Sequence, residues 1–281
     1  MTEPHINADS SAILLPTPPQ IVEQLRSDSA DTTALGKIIE QNPELVQEVL
    51  ETINAPYVNL VREISSIDEA IRFLGQERVT RLITARLLKT AFITKSRGFL
   101  EDLWDSSNRV AITAVLIAKE LKKDMEVAYE TGLFHNIGMA LMYTEFENYR
   151  SVIRAAYKHE SGAISAFEQH HLGCNHASLG ADIALKWHLS DQQALIIKNH
   201  HSSKWIIQQF SENQNSALLD NLAILKLAEL FSNLSNNIAK VPTNHEWKII
   251  AEPIMEHFSL NDTKLEKFKR EIITELLNLK I

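Results

Sequence analysis

The chain has 281 residues, which is enough for one large or two small domains with a buried core. Its formal net charge of −8 argues against a general nucleic-acid or anionic-membrane surface, because both would be repelled. Cys174 is the only cysteine, so an intrachain disulfide is excluded, which fits a reducing cytoplasm. The first residues lack the apolar core of a signal peptide, and no apolar run approaches the ~18–20 residues of a membrane span. We therefore expect a cytoplasmic protein that binds neither membranes nor nucleic acid.

The N-terminal part of the chain predicts a polar tail followed by short helices. Residues 1–12 are polar, and we expect them to be disordered. Gly and Pro are scarce, at eight each, which leaves few helix breakers in the rest of the chain. Ser66 stands three residues before Glu69, and Gly75 follows the apolar run, a pattern that predicts a capped helix. We expect these helices to form an N-terminal helical lobe at 13–97.

A second helical lobe is predicted at 98–240, with C-terminal helices at 241–281 that cap it. Apolar residues recur there at helical spacing, and no segment alternates with the period of two that indicates a strand. The predicted fold class is therefore all-α. The helical segments are expected at 126–142, 145–159, 164–187, 190–200 and a strongly amphipathic 217–235, then a linker at 240–243 and helices at 244–257 and 262–279.

Histidines recur in short motifs of the second lobe. His135 lies in GLFHNIG, His176 lies in NHASLGA, and His200 and His201 are adjacent in IIKNHH. Imidazoles and carboxylates are the ligands that hold divalent metal ions in phosphodiesterases. The motifs therefore indicate a candidate metal pocket.

Seven segments follow one another along the chain, namely LLPTPPQIVEQL, IIEQNPELVQEVLETINAPYV, ISSIDEAIRFLGQERVTRLI, LWDSSNRVA, GLFHNIG, HASLGADIALKWHLS and IIKNHH. In this order they resemble HDOD proteins, a group related to the HD and HD-GYP metal-dependent phosphohydrolases. The likeness covers roughly residues 14–210, and it implies an N-terminal helical lobe packed on an HD-like helical bundle. In this group the metal site is usually degraded.

The resemblance also implies which positions face the pocket, and three of them depart from the HD pattern. Ser106 stands where the first histidine is expected, Asn136 replaces the aspartate of the His-Asp pair, and Glu229 takes the place of the last aspartate. Glutamate still ligates metals, whereas serine is a poor ligand and asparagine offers only a neutral oxygen. The candidate pocket residues are Ser106, His135, Asn136, His176, His200, His201 and Glu229, and the candidate metal ligands are His135, His176, His200 and His201.

Two interpretations of the pocket remain open. Four imidazoles with one carboxylate suit a single Zn²⁺, Ni²⁺, Fe²⁺ or Mn²⁺ ion better than a two-metal centre. In the interpretation that we favour, no cofactor is bound, and His135 is a buried hydrogen-bonding residue whose ring nitrogen is satisfied by Asn136. His200 and His201 would point ~100° apart on a helix, so at most one faces the core unless the helix ends there.

The leading functional interpretation is a non-catalytic signal-transduction module that binds a protein partner or a small ligand. The resemblance implies a bacterial setting in which a kinase, response regulator or cyclic-nucleotide enzyme is supplied by another chain. The runner-up is a metal-dependent phosphohydrolase that acts on a nucleotide or cyclic dinucleotide, against which Ser106 and Asn136 count. In a third interpretation, the histidines sense a metal or a redox state.

A helix-turn-helix interpretation of SIDEAIRFLGQERVTRLITARLLK is less favoured. Its helix–Gly–helix spacing fits, but Glu69 and Glu77 lie among its basic residues, which is typical of a solvated helix face.

Overall fold

The structure is a computed structural model whose described residues form two compact units, Pro16–Lys95 and Ser96–Ile281. Helices and the loops between them account for both units, and the described part of the chain contains no strand. The all-α fold class is therefore confirmed. The tail expected at 1–12 lies outside the described residues, which are 13–25, 36–37, 39–55, 62–93, 98–212 and 216–279.

The unit Pro16–Lys95 is built from amphipathic helices that each bury one apolar face. Leu45, Val49 and Ile53 follow at intervals of four residues, so they share one side of their helix and are all buried. Together with Ile67, Ile71 and Ile83 they belong to the apolar core of this unit. The helices are α1 (Gln20–Leu25), α2 (Pro43–Ile53), α3 (Ile67–Leu74) and α4 (Gln76–Ile93).

Helix α3 has the ends that the sequence predicts. The Ser66 hydroxyl accepts a hydrogen bond from the Glu69 backbone N–H at 3.1 Å, and Gly75 ends the helix with a φ of 86°. The Glu69 carboxylate accepts from the backbone N–H of Ser65 rather than Ser66, at 2.9 Å. The predicted cap is therefore present, with its carboxylate one residue further out than in a capping box.

Two long helices, at 99–120 and 216–231, are buried in the core of the unit Ser96–Ile281. Nearly every residue of the stretch 110–118 is buried, so the first of these helices lies in the core over most of its length. The helices are α5 (Phe99–Glu120), α6 (Met125–Phe134), α7 (Ile137–Glu145), α8 (Tyr149–Lys158), α9 (Ile164–Leu172), α10 (His176–Lys186), α11 (Asp191–Asn199), α12 (Ser203–Glu212), α13 (Ser216–Phe231), α14 (Leu234–Ala239), α15 (Trp247–His257) and α16 (Asp262–Asn278).

Two of the predicted helical segments are interrupted. The segment 126–142 is divided between α6 and α7, and the break falls at His135 and Asn136. The segment 164–187 is divided between α9 and α10, because Gly173 adopts a left-handed φ of 76° that ends α9. The Asn175 side chain then accepts a hydrogen bond from Ser178 N–H and starts α10.

The segment 217–235 was expected to be amphipathic, and this prediction is wrong. Every residue from Leu218 to Glu229 in helix α13 is buried. The reason is that α13 lies against helices on several sides, namely α5, α6, α11, α14, α15 and α16. A helix surrounded in this way is buried around its whole circumference and has no solvent face.

The last two helices pack onto the same unit. Helix α15 contacts α12 and α13, and α16 contacts α5 and α13. The ammonium of Lys119 on α5 lies 2.9 Å from the carboxylate of Glu275 on α16. Within the described ranges, no helix is long and apolar enough to cross a membrane.

Candidate metal centre

Close backbone contacts at glycines set the spacing of the helices that carry the histidines. A Cβ atom built at Gly138 on α7 would lie 1.9 Å from the carbonyl oxygen of His176 on α10. One built at Gly132 on α6 would lie 2.7 Å from the backbone of α5, and one at Gly180 on α10 would lie 3.1 Å from Ile197 on α11. Side chains larger than hydrogen would hold these helices apart, so the glycines permit the histidines to meet.

Four histidines, His135, His176, His200 and His201, form the histidine cluster, and they lie at the ends of helices. His135 follows the last residue of α6, His176 is the first residue of α10, and His200 follows the last residue of α11. Because α11 ends at Asn199, the adjacent His200 and His201 are not held ~100° apart by a helix, and both are buried. The sequence analysis allowed both histidines to face the core only if the helix ends there, and the structure has that arrangement.

The Nδ1 atoms of His135 and His200 face backbone carbonyl groups. His135 Nδ1 lies 2.8 Å from the oxygen of Gly132, and His200 Nδ1 lies 2.6 Å from the oxygen of Ile197. A carbonyl oxygen only accepts, so Nδ1 carries the ring proton in both residues. Their Nε2 atoms are consequently left with a lone pair.

The Nδ1 atoms of the other two histidines face buried carboxylates. His176 Nδ1 lies 2.5 Å from Glu168, whose second oxygen accepts a hydrogen bond from the Tyr149 hydroxyl at 2.7 Å. His201 Nδ1 lies 3.0 Å from Glu246. Carboxylate partners of this kind fix the orientation and the tautomer of metal-binding histidines. All four imidazoles are thus held with Nε2 as the acceptor.

Three of these Nε2 atoms have no partner. Those of His135, His176 and His201 are buried and accept no hydrogen bond from any described residue. His200 Nε2 lies 3.3 Å from Asn136 Oδ1, and because both atoms are acceptors this contact is not a hydrogen bond. One ring nitrogen from each of His176, His200 and His201 falls within 4.8 Å of the others. Buried acceptors without a donor are costly, and a metal ion is one group that would satisfy several at once.

The fourth histidine faces a carboxylate across a short gap. His135 Nε2 lies 3.6 Å from Glu229 Oε1, and neither atom has a hydrogen-bond partner among the residues described. The rings of His135 and His200 are 5.4 Å apart between centroids, so this gap adjoins the cluster. The structure thereby brings Glu229 beside His135, at one side of the cluster.

Asn136 does not satisfy the ring nitrogen of His135, and that prediction is wrong. The carbonyl of Gly132 holds His135 Nδ1, whereas the amide oxygen of Asn136 faces His200. The reason is the break between α6 and α7, at which Asn136 becomes the residue before a new helix while His135 ends the previous one.

Ser106 is a candidate pocket residue that lines a separate cleft. It is buried on α5, and it lines a cleft of about 720 Å³ bounded by α5, α14 and α16. The described lining residues of this cleft include none of the four histidines and not Glu229.

Two further histidines and the cysteine lie apart from the cluster. His170 and His171 are exposed at the end of α9. Cys174 is buried with its sulfur 3.4 Å from that of Met142, and burial, with Glu168 nearby, raises its pKa to about 11. Its thiol is therefore protonated at neutral pH.

Sequence reasoning missed a buried lysine and two of the carboxylates. Lys226 Nζ lies 2.5 Å from Glu229 Oε2 and 2.7 Å from Glu246 Oε2, and it donates to the carbonyl of His200 at 3.0 Å. One signal was available, since Lys226 and Glu229 are charged residues inside the apolar run LAILKLAELF. No pattern pointed to Glu168 or Glu246.

Burial keeps the imidazoles of His135, His200 and His201 neutral. It lowers the pKa of His135 to about 3, and the nearby Lys226 and His176 contribute in the same direction. The pKa values of His200 and His201 are also well below the ordinary value, for the same first reason. Neutral imidazole is the form that binds metals, so all three residues are in a ligating state at neutral pH.

The pKa values of two carboxylates, Glu229 and Glu246, are shifted in the opposite sense. Burial raises the pKa of Glu229 to about 7 against the opposing effect of Lys226, and it also raises the pKa of Glu246. Burial alone would lower the pKa of Lys226, but the two carboxylates outweigh it and hold the value above the ordinary one. The ammonium is therefore charged, while each carboxylate needs positive charge to stay ionised.

The charges of the donor set fit one divalent cation. Glu168, Glu229 and Glu246 supply three negative charges when ionised and Lys226 supplies one positive charge, so a formal charge of −2 remains beside neutral imidazoles. An uncompensated buried charge of this size is strongly unfavourable. A single divalent ion would balance it and would accept the unpartnered nitrogen lone pairs.

Comparisons with known proteins place the fold. An HDOD domain protein with unknown function from Geobacter sulfurreducens has a TM-score of 0.64 at 21% identity, with 95% of this chain and 91% of that chain covered. A Shewanella amazonensis structure named "Putative phosphohydrolase" has a TM-score of 0.63 at 24% identity, with 92% and 90% covered. At such identities the likeness establishes the fold and not an activity.

The sequence comparisons agree with that fold. An uncharacterized Treponema pallidum protein is 18% identical over 211 residues, which make up 73% of this chain and 40% of that protein. This chain thus spans less than half the length of that relative. The family model for the HDOD domain matches residues 15–203, which is more than half of the chain. The chain belongs to the HDOD domain family.

Proposed function

We propose that this protein is a non-catalytic HDOD signalling module whose histidine cluster holds one divalent metal ion. The observation that carries the proposal is the shared orientation of the four imidazoles. Each has its Nδ1 atom engaged by a carbonyl or a carboxylate, and three of the Nε2 atoms are buried without a partner among the described residues. Zn²⁺, Ni²⁺, Fe²⁺ and Mn²⁺ all accept imidazole nitrogen, and the ring nitrogens of His176, His200 and His201 lie within 4.8 Å of one another, close enough to bind a single ion.

The absence of catalysis is inferred from the chemistry of the ligands and from their burial. Asn136 offers no negative charge where HD phosphohydrolases carry an aspartate, so a carboxylate to bridge two ions is missing at that position. His135, His176 and His200 have no exposed surface, and His201 is 4% exposed. A phosphodiester substrate would need a path to the ion, and the closed cluster supports a structural or sensing role for it instead.

We also propose a class of partner protein and a cellular location. A module without a reaction acts through another chain, and a signalling protein such as a kinase, a response regulator or a cyclic-nucleotide enzyme fits the family likeness. The net charge of −8 supports a partner other than nucleic acid or an anionic membrane. The single, buried cysteine supports a reducing cytoplasm.

Elemental analysis tests the metal. The protein is purified without chelator or His-tag after expression with Mn, Fe, Ni and Zn supplied, and the metal-to-protein ratio is measured. We expect one ion per chain in the parent protein and none in the His200→Ala/His201→Ala variant. The matched control is His170→Ala/His171→Ala, which removes an exposed adjacent pair from the same unit and should keep the ion. No metal in the parent protein under any supply would refute the proposal.

A metal-dependent phosphohydrolase remains the second candidate, and one observation favours it. His135 Nε2 and Glu229 Oε1 face each other at 3.6 Å without other partners within the described structure, and a carboxylate at such a place could act as a general base. The test is hydrolysis of nucleotides and cyclic dinucleotides by the metal-loaded protein. Turnover that disappears in Glu229→Gln would replace the non-catalytic proposal, whereas we expect no turnover in either protein.

A further inference from the structure

Lys226 is a fully buried lysine whose ammonium group has three acceptors. Its Nζ lies 2.5 Å from Glu229, 2.7 Å from Glu246 and 3.0 Å from the carbonyl oxygen of His200. An ammonium has three N–H donors, so every donor of Lys226 has an acceptor. The side chain is 2% exposed.

The position of Lys226 is not explained by the packing of its helix. Helix α13 is buried on all sides, and Leu225 and Leu227 flank Lys226 with 1% and 0% exposure. Burying an ammonium is unfavourable, and apolar side chains of similar volume are often as stable in such places. A lysine is favoured here only where the carboxylates around it require a positive charge.

Those carboxylates come from separate parts of the chain and meet at one cation. Glu229 belongs to α13, Glu246 precedes α15, and both also face imidazoles of the histidine cluster, at His135 and His201. Two-metal sites hold their ions ~3.5–4 Å apart, and converging carboxylates are ligands that suit an ion such as Mn²⁺.

We propose that the Lys226 ammonium takes the place of a second metal ion, so that the centre accepts one divalent ion and excludes another. The inference rests on the proposed function, because it concerns the number of ions that the same cluster holds. With Lys226 and one divalent ion present, the three carboxylates of the cluster are balanced. A second divalent ion would add two uncompensated charges in a buried site and would lie close to the ammonium, which opposes its binding.

A purely structural ion pair would behave differently. If Lys226 only tied α13 to the segment before α15, its removal would lower stability and leave the number of bound ions unchanged. If it replaces an ion, its removal leaves Glu229 and Glu246 free to bind one. The ion-to-protein ratio separates these roles, and it does not depend on any catalytic assay.

The test is Lys226→Met, which keeps the length of the side chain and removes its charge. Parent and variant proteins are dialysed against Mn²⁺, whose preference for carboxylate ligands suits Glu229 and Glu246. Bound manganese is counted by elemental analysis, and electron paramagnetic resonance distinguishes isolated from spin-coupled ions. We expect one isolated ion per chain in the parent protein and two coupled ions in Lys226→Met. The matched control is Lys123→Met, which removes a lysine paired with Asp220 at 2.8 Å, and it should retain one ion.

Every other outcome contradicts the role of Lys226, the metal proposal, or both. Two ions in the parent protein, or one ion in Lys226→Met, would overturn the role of Lys226 while the metal proposal stands. No ion in the parent protein would overturn the metal proposal and the role of Lys226 with it. If Lys226→Met does not fold, Lys226→Gln replaces it, because its neutral amide can still donate to the carboxylates. We expect two coupled ions in that variant as well, and one ion there would overturn the inference.

Discussion

The group that accepts a hydrogen bond from Nδ1 decides what each imidazole can do at Nε2. For His176 that partner is Glu168, which also accepts from the backbone N–H of His176 at 3.2 Å and from the Tyr149 hydroxyl. A negative partner raises the basicity of the ring and holds it in one orientation. The metal affinity of the centre is therefore set partly by residues that would not contact the ion.

Replacing Glu168 by glutamine tests this dependence. Glu168→Gln keeps the shape of the side chain but removes the charge behind His176, so we expect metal affinity to fall by about 10–100-fold. Competition with a coloured chelator measures the affinity. Glu160→Gln, at an exposed position, is the control and should leave it unchanged. Equal affinities in all three proteins would contradict the assigned role of Glu168.

The protonation of the buried histidines predicts how the metal-free protein responds to acid. The pKa of His135 is about 3 in the folded state against an ordinary value of 6.5, and those of His200 and His201 are lowered as well. The unfolded chain therefore binds protons first, and the stability present above pH 6.5 is lost as the pH falls toward 3. Glu229 and Glu246, whose pKa values are raised, act in the opposite sense, but they are fewer.

We accordingly expect the chelator-treated protein to be less stable at pH 5 than at pH 7. Urea denaturation followed by circular dichroism at both pH values gives the midpoints. A His135→Asn variant, which lacks one of the titrating rings, should show a smaller difference between them. A midpoint that rises on acidification would mean that the carboxylates dominate.

At the scale of helices, the contact between α7 and α10 is as close as two backbones permit. Alanine normally favours a helix over glycine by ~1 kcal/mol. At Gly138 the added Cβ atom would meet the carbonyl oxygen of His176 at 1.9 Å, so the two helices would have to separate. The clash outweighs the helix propensity, and the separation would also move His176 away from the cluster.

Gly138→Ala should therefore lower the free energy of unfolding by about 3 kcal/mol, near the upper end for overpacked sites. Metal affinity should fall in the same variant. The control is Ala155→Gly at an exposed position on α8, where only helix propensity changes and the cost should be about 1 kcal/mol or less. A neutral or stabilising Gly138→Ala would show that α7 and α10 are further apart than described.

The elements could be predicted from the sequence to different degrees. Apolar periodicity located most helices, but it continues through His135 and Gly173, so the breaks at which His135 and His176 stand were not predicted. The amphipathic assignment of α13 failed because burial on all sides depends on helices distant in the chain.

The residues of the candidate site that lie in the histidine motifs could be predicted from the sequence. His135, His176, His200 and His201 stand in short segments that resemble a family pattern, so they could be found. Glu168 and Glu246 could not, because their role arises from a tertiary contact with a histidine that no local pattern encodes.

At the scale of the whole molecule, every residue of the cluster belongs to the unit Ser96–Ile281. Binding of an ion to the folded state stabilises that state by mass action, by ~2.7 kcal/mol at a hundred times the dissociation constant. We therefore expect added metal to slow hydrogen exchange at the backbone amides of α10, α11 and α13. Amides of α3 and α4 in the other unit serve as the internal reference.

Mass spectrometry of peptides from the intact chain, with and without metal, measures this exchange. Protection concentrated in α10, α11 and α13 agrees with the assigned centre. Protection that is absent there, or found mainly in α3 and α4, would place the ion elsewhere.

Three of the charged residues that complete the centre lie outside the matched HDOD region. The family match ends at residue 203, whereas Lys226, Glu229 and Glu246 all follow it. Part of the charge around the four histidines is therefore set by a segment that the family match does not cover. Substitutions in the last third of the chain can change which ion is held, or whether any is held, while every histidine motif stays the same. Two proteins with identical histidine motifs need not share a metal.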